Sequence, residues 1–77
     1  MKTMSLLKSQ RRIACNELIL PEGQSKTLCV ITLEQGYVVR VHPLEREEPQ
    51  TEWLQGCIKL KKQNDGLRAY YKGKLLT

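Results

Sequence analysis

The chain has no phenylalanine, and only one tryptophan and three tyrosines among its 77 residues. A core without Phe must be built from Leu, Ile and Val, whose shapes suit the half-buried surface of a pleated sheet. No apolar run approaches the roughly eighteen residues a membrane-spanning helix needs. The opening stretch MKTMSLLKSQRR is basic but lacks the apolar segment of a secretory leader, so a cytoplasmic protein is expected. Cysteine is too sparse and too widely spaced for a disulfide framework. Cys15, Cys29 and Cys57 are odd in number and are read as reduced thiols in apolar surroundings. Internal repeats, low-complexity tracts and catalytic motifs are all missing. The chain is therefore expected to be no enzyme and to carry no cofactor.

What is present is charge, unevenly placed. The net charge is +5. Residues 1–12 hold four bases and no acid. Residues 13–58 hold three bases against seven acids, and residues 59–77 hold six bases against Asp65 alone. Basic ends around an acidic middle point to an anionic partner or to pairing between chains.

At this length the chain is one domain, near the lower limit for a self-sufficient core. Residues 1–10 show no apolar period and are read as a flexible N-terminal arm, leaving 11–77 as a single small β domain. Five strands are expected, near 12–20, 26–34, 37–42, 57–63 and 67–73, with little helix. Their order implies an antiparallel meander, curled or partly closed. An SH3-like or OB-like barrel, or a sandwich made by dimerisation, satisfies the pattern. Gln35-Gly36 reads as a two-residue turn that sets Thr32 against Val39, Ile31 against Arg40 and Cys29 against His42. Apolar groups then fall on both sides of this hairpin, which belongs at the centre of the sheet. The stretch PLEREEPQTEWLQG, residues 43–56, reads as a long connection, with Pro43 and Pro49 excluding a central strand. Glu45, Glu47, Glu48 and Glu52 are then solvated, and Trp53 turns back as a lid on the core.

The stretch IKLKKQNDGLRAYYKGK, residues 58–74, carries the leading candidate site. An Asp65-Gly66 turn of type I′ pairs Leu60 with Tyr71 and Lys62 with Ala69. Lys59, Lys61, Arg68, Tyr70 and Lys72 then project from the opposite face. Cations follow a phosphate backbone, and an exposed aromatic offers a base a stacking surface. Arg11 and Arg12 would add a basic arm. A solvated sheet face rich in lysine accounts for the same pattern, because lysines also discourage edge-to-edge aggregation.

Cys15, Cys29, Cys57 and His42 match a Cys₃His zinc set in number, but no C-x₂-C knuckle is present and no metal is expected. Cys29 and His42 as a nucleophilic pair lack an orienting third group. Residues 18–44, LILPEG…VITLEQGYVVRVHPL, resemble the opening β-lobe of amidohydrolases, where two strands flank a tight glycine turn. The metal-bearing barrel of that family has no counterpart here, so the resemblance implies a similar hairpin and no activity. The expected function is a non-enzymatic interaction module for a protein partner, self-association included, with nucleic-acid binding through the basic face as the alternative. Neither a membrane nor a small-molecule substrate is indicated.

Overall fold

The computed structural model describes residues 10–77, all of them in strands, turns and loops. Among these residues no helix is long and apolar enough to cross a membrane. Except for Gln10, the N-terminal arm lies outside the described residues.

Six strands form one mixed sheet: β1 (Gln10–Ile19), β2 (Ser25–Glu34), β3 (Tyr37–Pro43), β4 (Thr51–Gln63), β5 (Gly66–Tyr71) and β6 (Lys74–Leu75). Their order across the sheet is β3-β2-β1-β4-β5-β6. The all-β expectation therefore holds, but the meander is broken in the middle, where β4 pairs with β1 in parallel. Two antiparallel meanders of three strands share that parallel seam. β4 also begins at Thr51, so only Leu44–Gln50 is a connection. Thr51 and Trp53 stand opposite Arg12 and Ala14. Trp53 is 49% exposed and is no lid.

The inner face of the sheet is the core. Ile13, Cys15 and Leu18 of β1 meet Cys29, Ile31 and Leu33 of β2, Ile58 and Leu60 of β4, and Ala69 of β5. Cys15 and Leu18 are three apart yet share this core. Strict alternation forbids that, and a corner running across the sheet permits it. The β1–β4 register shifts between Cys15 and Glu17, where Gln55 and Gly56 bulge out of β4. Asn16 Oδ1 accepts from the Gly56 amide at 2.7 Å, and Tyr71 donates its hydroxyl to the Gln55 carbonyl at 2.6 Å. Leu28 of β2, facing this corner, sits at φ +50°. The Gly56 amide and the Gln55 carbonyl, displaced from the ladder by the bulge, thus find side-chain partners.

The outer face is partly covered as well. The connection 44–50 must carry the chain from β3 across β2 and β1 to the far side of β1. Seven residues span up to about 25 Å, enough for strands about 4.8 Å apart. The contact between His42 and Glu48 places this crossing on the outer face, where Val30 and Ala14 are buried. The β2–β3 hairpin is thus covered on both sides only along β2. β3 is an edge strand, contrary to the central position expected.

The sheet curls but does not close into a barrel. A clasp of side chains joins the two hairpin tips instead. The Tyr37 hydroxyl donates to the Asp65 carboxylate, and Arg68 Nη1 donates to the Gly36 carbonyl at 3.0 Å. The Arg68 guanidinium lies 3.9 Å from the Tyr37 ring centroid. This clasp also explains the second hairpin's turn. Gln63 pairs with Gly66, so Asn64 and Asp65 make the turn, not Asp65 and Gly66. A type I′ turn at Asp65-Gly66 would need positive φ at Asp65, which it does not adopt. Asp65 is held by Tyr37 instead, and the tertiary contact overrides the local preference.

Candidate anion-binding face

The register of β4 and β5 is two steps from the one the turn motif predicts, and a shift of two leaves every side chain on its expected face. Ile58, Leu60 and Ala69 point inward. Lys59 stands opposite Tyr70 and Lys61 opposite Arg68 on the outer face. Lys61 Nζ is 5.1 Å from the Tyr70 ring centroid, and Gln63 Nε2 donates to the Tyr70 hydroxyl at 3.1 Å. Lys72 sits at φ +52° in the turn to β6, its Nζ 5.3 Å from the Tyr71 ring centroid. Together Lys59, Lys61, Tyr70 and Lys72 border an open groove of about 510 Å³, with Cys57 and Tyr71 between them.

The other predicted cations are placed elsewhere. Arg68 neighbours Lys61 in the ladder, but its guanidinium is turned to Tyr37 and Gly36. Arg11 forms a two-pronged pair with Glu52, through Nε at 2.8 Å and Nη2 at 2.6 Å. Its Nη1 donates to the Thr77 carbonyl at 2.7 Å. This pair holds the Glu52 carboxyl below its ordinary range and raises the Arg11 guanidinium. Arg12 lies on the outer face at the other end of the sheet, beside Thr32 and Arg40. Among the described residues the contacts between basic side chains and carboxylates are Arg11 with Glu52 and His42 with Glu48, so Lys59, Lys61 and Lys72 have no carboxylate partner there.

The cysteines and His42 do not converge. Cys15 and Cys29 are opposite each other in β1 and β2, with the Cys15 thiol 3.8 Å from the Cys29 carbonyl oxygen. Burial pushes the Cys15 thiol up to about 11 and raises Cys29 as well. Cys57 faces the basic groove. A bulge between Thr32 and Leu33 in the β2–β3 pairing sets His42 opposite Val30 and Pro43 opposite Cys29. The expected Cys29–His42 cross-strand pair is therefore absent, and His42 Nε2 engages the Glu48 carboxylate at 2.9 Å and 3.2 Å. Among the described residues no group of three His, Cys, Asp or Glu side chains is placed to hold a metal ion.

Sequence reasoning assigned no site role to Tyr37, Thr32, Arg40 or Glu48. For Thr32 and Arg40 the spacing about the Gln35-Gly36 turn was the available signal, and the bulge changes that spacing by one. Comparison with known protein families, with characterised proteins and with solved structures returns no match, the amidohydrolases included.

Proposed function

We propose that this protein is a small non-enzymatic interaction module that holds single-stranded nucleic acid against the outer face of β4 and β5. One observation supports the reading: Lys59, Lys61 and Lys72 line an open groove with Tyr70 and Tyr71, and among the described residues no carboxylate pairs with them. Phosphates answer the ammonium groups, and a base stacks on the tyrosine. With Arg68 engaged elsewhere, three cations contact phosphates, and log K falls with log salt at a slope of about −2 for a single strand. Fluorescence anisotropy of a labelled RNA or DNA oligonucleotide across a salt series measures this. Exchanging Lys59→Glu together with Lys61→Glu weakens binding by at least about tenfold and flattens the slope. No binding at low salt, or binding indifferent to both substitutions, rules the reading out. The three free cysteines support a reducing, cytoplasmic setting.

The β3 edge favours a second reading, pairing with the same edge of another copy. From Val39 to Pro43 this edge has no partner strand among the described residues, and Val39 and Val41 are exposed along it. An unpaired edge carrying apolar side chains is a template for a second strand, and an isologous contact between two copies covers both edges at once. Light scattering at increasing concentration should give twice the monomer mass. Replacing Val41 with Lys should restore the monomer, and a strict monomer at high micromolar concentration removes this reading.

A further inference from the structure

We propose that the groove between Arg12 and Arg40, at the other end of the outer face, binds a phosphate monoester. The register places Arg12 opposite Thr32 and Thr32 opposite Arg40, so the three stand in one row across β1, β2 and β3. Neighbouring strands are about 4.8 Å apart, which leaves the two arginine Cα atoms roughly 10 Å apart. Both guanidinium groups can then reach a point above Thr32. The bulge makes the row. Without it Thr32 would face Val39, and Arg40 would fall on the inner face opposite Ile31. Bulges commonly re-aim one side chain in this way.

Both acids beside the row are occupied by other partners. Gln10 Nε2 donates to Glu34 Oε2 at 3.0 Å, and Glu48 is held by His42. Arg12 and Arg40 are left with no carboxylate partner among the described residues. Thr32 is 6% exposed, the one buried polar side chain among the described residues, and its hydroxyl has no hydrogen-bond partner among them. A buried hydroxyl without a partner is costly in a native protein and points to a missing one. Two guanidinium forks match the oxygen geometry of phosphate, and their charge matches a monoester at neutral pH. The groove measures about 600 Å³, within the range of small-molecule sites.

The test is an NMR titration of the full chain, following amide and arginine Nε signals at constant ionic strength. Inorganic phosphate and adenosine monophosphate are the probes, and acetate is the control. Saturable shifts centred on Arg12, Thr32 and Arg40 are expected with both phosphates and not with acetate. Arg12→Gln and Arg40→Gln should each weaken binding about tenfold, as loss of a charge-assisted bond implies. Thr32→Val keeps the shape, removes the hydroxyl and should weaken binding several-fold. The Lys59→Glu, Lys61→Glu double variant should bind phosphate as before, which separates this site from the β4–β5 face. Shifts scattered over all basic residues without saturation would overturn the proposal. Equal binding of acetate, or unchanged affinity in both arginine variants, would do the same.

Discussion

Tyr37 joins two parts of the chain that no local signal connects. Its ring lies against Gly66, where an added Cβ would come within 2.9 Å of Tyr37 Cδ1, and Gly66 holds φ +147°. Its hydroxyl donates to Asp65 and accepts from Arg68 Nη2 at 3.1 Å. The hydrogen bond to Asp65 raises the Tyr37 phenol above its ordinary value, and the same bond holds the Asp65 carboxyl below the usual aspartate range. Because the folded carboxylate is the more acidic, this contribution to stability is present above the ordinary aspartate range. It is lost as pH falls through the lowered value. Tyr37→Phe should therefore move the Asp65 titration upward and loosen the hairpin tips. Carboxyl-carbon NMR across an acid titration reads the shift directly, and an Asp65 that titrates identically in the variant would show that the hydroxyl is not its cause.

At the level of elements, alternation was legible and irregularity was not. Ile58, Leu60 and Ala69 face inward and Lys59, Lys61 and Tyr70 outward, as their spacing implies, even though the turn is misplaced by the Tyr37 contact. Parity survives an error of two. It does not survive an error of one, which is what the β2–β3 bulge introduces, and so the Arg12–Thr32–Arg40 row was invisible. The corner at Asn16, Leu28 and Gly56 had no signature either. Nothing in ACNEL says that Cys15 and Leu18 point the same way. The parallel seam was hidden for a different reason. Thr51–Leu54 is short, follows two prolines and a run of acids, and reads as loop until β1 is seen to need a second partner. Of the candidate face, Lys59, Lys61, Tyr70 and Lys72 were readable from pattern. Arg11 and Arg68 were drawn away by partners distant in sequence.

Across the described residues, three of the seven acids of the middle, Glu52, Glu48 and Glu34, have side-chain partners in Arg11, His42 and Gln10, while the lysines of β4 and the β5–β6 turn have no acidic partner. The core they surround has no aromatic ring from Phe and depends on small groups, Cys15 among the fully buried ones. That thiol gives a global handle on stability. Burial lifts it from an ordinary 9.0 to about 11. Between those values the folded chain keeps a proton that the unfolded chain releases, so raising the pH favours unfolding. Below pH 9 the effect is absent, and above 11 it is complete. The folding equilibrium constant should fall by roughly ten- to a hundredfold from this one group across that window. Urea denaturation at a series of pH values measures the fall. Cys15→Ala is less stable below pH 9, but its decline from pH 9 to 11 should be shallower than that of the parent. Lysine and tyrosine titrations are common to both chains and cancel in the comparison. Parallel declines in the two proteins would mean that the Cys15 proton is not what couples this core to pH.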